Sequence, residues 1–142
     1  MAIAGFRVPL AAAGLAAVLA GAGCVDIVGA DLGKYVEREE KTFSTSGKAD
    51  VSLTTFDGSI EVRPWDRPEV QVSIEKRARD KAAADEIEVR TEQNGDRIVV
   101  DVKPRKGSEH RGLNFGWNMS RSAKLIVSMP AASDLSAKSG DG

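Results

Sequence analysis

Most of the chain alternates apolar and polar residues with a period of two. Val70, Val72 and Ile74, for example, alternate with Gln71 and Ser73. Because successive side chains of a β-strand point to opposite faces, this pattern predicts strands with one buried and one solvated face. The same pattern recurs at residues 51–54, 60–63, 87–90, 98–102 and 125–129.

The segments between these runs carry turn residues. Asp57-Gly58 and Asn94-Gly95 are dipeptides that accept positive φ, and prolines at positions 64, 68, 104 and 130 end strands by removing a backbone donor. Strands about ten residues apart predict an all-β fold, with short antiparallel or solenoid-like strands stacked as a β-sandwich or β-helix. One helix of about two turns is predicted at 80–86, where an Asp precedes an Ala-rich segment.

The N-terminal residues have the organisation of an export signal. Arg7 is the only charged residue before Asp26, and an apolar run over residues 8–19 is followed by small residues. These features predict a signal peptide over residues 1–23. A retained membrane helix is the alternative, although prolines and glycines lower the hydrophobicity of the run.

Cys24 follows Gly-Ala-Gly and so resembles the lipidated cysteine of a bacterial lipoprotein signal. The resemblance implies cleavage before Cys24, acylation of this residue and attachment to a membrane of the cell envelope, inner or outer. Gly21 stands where lipoprotein signals usually place an aliphatic residue. The alternative is therefore an ordinary signal peptide that leaves Cys24 as a free thiol. We predict a tether over residues 24–34 and a β-repeat domain over residues 35–142.

A longer pattern also resembles a known family. Thr42-Phe43, the run from Val51 to Val62 with its Gly-Ser-Ile-Glu-Val end, Trp65-Asp66 and Glu69-Val-Gln-Val72 are similar to the bacterial adhesin-like domain of unknown function. The resemblance implies an envelope lipoprotein whose β-repeats present a binding surface. Residues 137–142 repeat the strand-to-turn step of residues 53–58 without the strand that should follow. We therefore expect an incomplete repeat at the C-terminus, the alternative being a frayed natural end.

Composition and reactive groups exclude several classes of protein. With 20 basic and 21 acidic residues the net charge is -1, which argues against nucleic-acid binding. A single Cys and a single His, His110, provide neither a Cys-based zinc site nor a nucleophile with a base. No phosphate-binding glycine motif occurs. The inventory predicts a protein that is not an enzyme and holds no cofactor or metal.

The segment from Lys103 to Arg121 lacks the strand pattern and combines basic with aromatic residues. Such a loop could bind an envelope protein, a glycan or anionic headgroups, and the alternative is a mobile hairpin tip or a loop whose aromatics pack onto the body. Two functions follow: an adhesin-like binding module, or a structural or regulatory envelope subunit without a strong ligand. The candidate binding residues are Lys103, Arg105, Lys106, Arg111, Phe115 and Trp117.

Overall fold

The computed structural model describes residues 25–31, 34–106 and 121–140. Within these ranges the chain forms nine strands and one short helix. One strand ends at Trp65, directly after Pro64. Another ends at Asn94, the first residue of the predicted Asn-Gly turn. The elements are β1 (Val25–Asp31), β2 (Lys34–Ser44), β3 (Asp50–Thr55), β4 (Ile60–Trp65), β5 (Glu69–Ala78), α1 (Lys81–Asp85), β6 (Ile87–Asn94), β7 (Arg97–Pro104), β8 (Ser122–Pro130) and β9 (Asp134–Ser139).

The strands form two mixed sheets. One has five strands in the order β1-β2-β5-β8-β4, and the other has four in the order β6-β7-β3-β9. The pairs β3–β7, β3–β9 and β4–β8 are parallel, whereas the remaining pairs are antiparallel. The all-β prediction is therefore confirmed, and the sheets are mixed because strands that follow each other in the chain often lie in different sheets.

Both sheets contribute to one apolar core. Most of the strand residues that the period-two pattern predicts as inward are buried, including Val51, Val72, Val100 and Val127, whereas Val62 on β4 is exposed. They belong to a single cluster drawn from β3, β5, β7 and β8. The two sheets thus pack face to face, and their outer faces meet solvent.

Helix α1 covers part of the inner face of the five-stranded sheet. Asp80 caps it by accepting a hydrogen bond from the Ala83 backbone N–H at 2.8 Å. Ala83 and Ala84 are buried against Ala78, and Tyr35 packs beside them. The helix predicted at 80–86 is confirmed.

Two regions differ from the sequence-based expectation. Val25–Asp31, within the predicted tether, forms β1 and pairs antiparallel with β2 through an irregular register. Lys103, predicted to begin the strandless segment, lies inside β7, which continues to Pro104. No helix within the described residues is long and apolar enough to cross a membrane.

Candidate binding face

An open polar groove of about 280 Å³ lies on the outer face of the five-stranded sheet. Four strands provide its walls: β2, β5, β8 and β4. Its lining is almost entirely polar, with two guanidinium groups, one carboxylate, one amide and two hydroxyls. We call this surface the polar groove; its residues are Arg38, Glu40, Arg63, Gln71, Ser73, Ile126 and Ser128.

The sheet register brings these residues together. Ser128 on β8 is paired with Gln71 on one side and with Arg63 on the other. One pleat further along, Ser73 is paired with Glu40 and with Ile126. Residues that are far apart in the chain thus form two adjacent rows on one face, because outward positions of neighbouring strands coincide.

A group of three charged side chains lies at one side of the groove. Arg38 donates a hydrogen bond to Glu75 at 2.8 Å, and Arg77 Nε donates to the other carboxylate oxygen at 2.7 Å. Glu75 is buried, whereas both arginines are substantially exposed. The hydrogen bond from Arg38, opposed by burial and aided by Arg77, lowers the pKa of Glu75 below its usual value. The group carries one net positive charge.

A second group of three charges lies on the opposite side. Arg63 donates to Glu61 through Nε at 2.8 Å and through a terminal nitrogen at 2.6 Å. Lys124 Nζ lies 3.1 Å from the other Glu61 oxygen. The hydrogen bonds from Arg63 and then from Lys124 lower the pKa of Glu61. Here too one positive charge is left over, so cationic groups with fixed carboxylate partners flank the groove on both sides.

Trp65 packs at the turn between β4 and β5. Its indole N–H donates to the Glu69 carbonyl oxygen at 2.8 Å, and the Arg67 guanidinium lies 4.9 Å from the ring centroid. The side chain is half-buried. These contacts make Trp65 a packing residue at a strand end, and the ring fixes the end of the strand that carries Arg63.

The groove offers groups for binding. Guanidinium groups bind carboxylates or vicinal hydroxyls through paired N–H donors, and the Gln and Ser side chains both donate and accept hydrogen bonds. In the described part of the chain, no three His, Cys, Asp or Glu side chains are grouped so that they could hold a metal ion. The arrangement is suited to hydrogen-bonded recognition of a polar ligand on an open surface.

Three of the predicted binding residues are described, and they lie away from the polar groove. Lys103 is on the outer face of the four-stranded sheet and bonds Asp101 at 3.1 Å. Arg105 is exposed just beyond β7, where its backbone N–H donates to the Glu86 carbonyl at 2.7 Å, and Lys106 is exposed next to it. The structure does not bring these three residues to the polar groove. The other predicted site residues are outside the described residues; they are Cys24, Arg111, Phe115 and Trp117.

Sequence analysis did not identify the polar groove. Ser73 and Ser128 are ordinary outward residues of alternating strands, and no local motif marks them. Their proximity to each other depends on the pairing of β5 with β8, and the proximity of Ser128 to Arg63 depends on the pairing of β4 with β8. The only signal in the sequence was indirect: the outward positions of β5 carry Gln and Ser near the centre and charges further along.

Comparisons with protein-family models, with curated proteins and with solved structures found no significant match to this chain. The interpretation of the polar groove therefore rests on its own residues and geometry.

Proposed function

We propose that this chain is a non-catalytic bacterial envelope lipoprotein whose β-domain presents the polar groove as a binding surface for an acidic glycan. Cys24 carries the lipid anchor, and the domain is held at a membrane by this residue. The observation that carries the proposal is the convergence of Arg38, Arg63, Gln71, Ser73 and Ser128 on one outer sheet face.

The chemistry of the groove matches a carbohydrate that bears carboxylates, because the groove and its two flanking charged groups together hold four basic and three acidic side chains, Glu40 included. Arg63 and Arg38 stand on opposite sides and are each more than a third exposed, so their free N–H groups can reach a ligand carboxylate. Gln71, Ser73 and Ser128 lie between them and can exchange hydrogen bonds with sugar hydroxyls. The protein's own carboxylates, Glu61 and Glu75, accept hydrogen bonds from these guanidinium groups and hold them in place.

The shape of the groove favours a polymer over a small molecule. Small-molecule sites are usually enclosed and largely apolar, so that most of the ligand is buried. The polar groove is open and has a single apolar lining residue, Ile126. A chain of sugars can lie across such a surface and gain affinity from several weak contacts at once.

We extend the same proposal to the solenoid-like arrangement of strands that the sequence predicts. In a β-solenoid, equivalent strands of successive coils stack in parallel. The parallel pairs β3–β9 and β4–β8 support this arrangement, with Leu53 opposite Ala137 in the repeated strand-to-turn segments. The expected incomplete repeat stays a prediction.

The test uses a short oligogalacturonate and its carboxyl-reduced, neutral counterpart as probes. We expect the full chain to bind the acidic oligosaccharide and to bind the neutral one more weakly, measured by calorimetry in detergent. Arg63→Gln should weaken binding about tenfold or more, since it removes a charge-assisted contact. The stability of this variant, checked by its melting temperature, should stay close to that of the wild type.

Arg90→Gln is the matched control. Arg90 has nearly the same exposure as Arg63 (57% against 60%), and each is paired with a Glu two residues earlier in its strand. Arg90 lies on the other sheet, so its replacement should leave binding unchanged. If the chain binds neither the acidic nor the neutral oligosaccharide, the groove is not a glycan site. Equal losses of binding from the two substitutions would also reject the groove as a glycan site. Either result would favour a structural or regulatory subunit.

A further inference from the structure

One row of outward side chains separates the two arginines of the polar groove. We call it the central row; it crosses four strands, each residue in register with the next, and consists of Glu40, Ser73, Ile126 and Glu61. Arg38 lies one pleat to one side of this row, and Arg63 lies one pleat to the other side. A ligand that contacts both arginines must therefore cross the central row.

Glu40 differs from the other carboxylates of this sheet face. Glu61 and Glu75 each accept hydrogen bonds from arginine side chains. Arg38, two residues before Glu40 on the same strand, donates to Glu75 instead. Among the described residues, no basic side chain pairs with the exposed Glu40. The central row thus ends, on β2, in a negative charge that no neighbouring cation compensates.

This charge determines which sugar fits over the central row. A ligand carboxylate beside Glu40 is repelled, because two like charges then lie close together. A hydroxyl or an amide N–H can instead donate a hydrogen bond to Glu40. Ser73, in register with Glu40 on the adjacent strand, can donate to and accept from the same groups. The central row therefore favours a neutral sugar over an acidic one.

Ile126 adds an apolar contact to this row. It is half-buried, is in register with Ser73, and is the single apolar residue among those that line the groove. An acetamido group combines an apolar methyl with an N–H donor. Its methyl can cover Ile126 while its N–H donates to Glu40 or to Ser73. An N-acetylated sugar thus matches three side chains of the central row.

We propose that the polar groove selects a glycan in which acidic sugars alternate with neutral N-acetylated sugars, and that Glu40 sets this selectivity. The inference rests on the proposed function, which requires only that the groove bind an acidic glycan. One acidic sugar contacts Arg38, the next acidic sugar contacts Arg63, and the N-acetylated sugar between them covers Ile126. A glycan with a carboxylate on every sugar places one carboxylate beside Glu40 instead.

The test compares two acidic oligosaccharides of equal length, by calorimetry on the full chain in detergent. In a hyaluronan oligosaccharide, glucuronate alternates with N-acetylglucosamine, whereas an oligogalacturonate carries a carboxylate on every sugar. Attraction to the arginines alone would favour the oligogalacturonate, which has the higher charge. We expect the opposite order, with the wild type binding the alternating probe about threefold or more tightly.

Glu40→Gln removes the charge and keeps a hydrogen-bonding side chain of the same size. It should strengthen the binding of oligogalacturonate about threefold and change the binding of the alternating probe much less, so the preference shrinks. Glu92→Gln is the matched control, since Glu92 is an exposed carboxylate on β6 of the other sheet. It changes the net charge equally and should leave the preference as it is in the wild type.

Ile126→Thr tests the acetamido contact, because it keeps a β-branched side chain and replaces a methylene-bearing arm with a hydroxyl. It should weaken only the alternating probe, and melting temperatures verify that each variant is folded. If neither acidic probe binds, the proposed function and this inference fail together. If oligogalacturonate binds the wild type at least as tightly as the alternating probe, the selectivity is wrong and the groove stays a site for acidic glycans. A preference that Glu40→Gln leaves unchanged would overturn the role of Glu40 in the same way.

Discussion

Burial alternates residue by residue along the strands, as residues 69–74 of β5 show. Val72 is fully buried in the core, whereas the adjacent Gln71 is half-buried on the outer face. This alternation was predictable because inward and outward positions differ in hydrophobicity at every second residue. A shift of one residue in register would reverse all of these positions.

The two neighbours should respond differently to the same substitution. Val72→Asp buries a carboxylate among apolar side chains without a partner and should lower the free energy of unfolding by several kcal/mol. Gln71→Asp keeps the new charge at the surface and should change it by about 0.5 kcal/mol or less. Denaturant titration of both variants tests this, and equal losses would show that the register of β5 is wrong.

Glu75 makes stability depend on pH. Its pKa is lowered in the folded protein, first by the hydrogen bond from Arg38, so the carboxylate contributes stability at pH values above its unfolded pKa. This contribution is lost as the pH falls through the lowered folded pKa. Glu75→Gln should therefore cost about 1 kcal/mol at neutral pH, and the difference from wild type should vanish in acid.

Glu88→Gln is the control for this measurement. Glu88 also pairs with an arginine two residues away, but both side chains are exposed, so its replacement should have little effect at any pH. Unfolding curves between neutral pH and about pH 3 would distinguish the two variants. A Glu75→Gln deficit that persists unchanged in acid would contradict the assigned role of the Arg38–Glu75 pair.

At the level of elements, the predictability of a strand depends on whether both sheets cover it. The alternation over β3, β5, β7 and β8 is clear because their inward residues face the opposite sheet. Strand β2 was missed over most of its length. Its inward positions include Glu37, which bonds Lys76 at 3.3 Å, and Glu39, which pairs with Lys41 at 2.9 Å. Charges on both faces hide the period that identifies a strand.

The turn between β3 and β4 is an element that depends on glycine. Gly58 has φ of +127°, and a Cβ at this position would lie 2.2 Å from the Ala123 carbonyl oxygen. That oxygen also accepts a hydrogen bond from the Thr55 hydroxyl at 3.2 Å. Gly58→Ala must therefore strain the turn and displace the start of β8. We expect a loss of about 2 kcal/mol or more in the free energy of unfolding.

Gly95→Ala provides the comparison. Gly95 also has positive φ, at +59°, but nothing lies within 4 Å of an added Cβ. Only the left-handed backbone then opposes the substitution, at a cost of about 1 kcal/mol. Thermal or chemical denaturation of both variants separates the steric effect from the conformational one. A smaller loss for Gly58→Ala than for Gly95→Ala would contradict the close approach to β8.

For the whole molecule, the sequence predicted the class of fold but not its pairing. Alternation along a strand is the same whether its neighbour is parallel or antiparallel, so the parallel pairs of β3 and β4 could not be predicted. The polar groove depends on one of these pairs, β4–β8, together with the antiparallel pairs β2–β5 and β5–β8. A local cluster of charges in the sequence predicted a binding loop at Lys103, Arg105 and Lys106. By contrast, Ser73 and Ser128 become neighbours only through the order of strands in the sheet.

The proposed attachment to a membrane depends on Cys24, and a single substitution tests it. If Cys24 is acylated, the attached chains supply the hydrophobic anchor, and cells grown with labelled palmitate should incorporate the label into the protein. Cys24→Ser should abolish labelling and release the folded domain from the membrane fraction, whereas Ser46→Ala, an exposed position in the β-domain, should affect neither. Retention of Cys24→Ser in the membrane without the label would contradict lipid anchoring and indicate that the N-terminal apolar run itself stays in the bilayer.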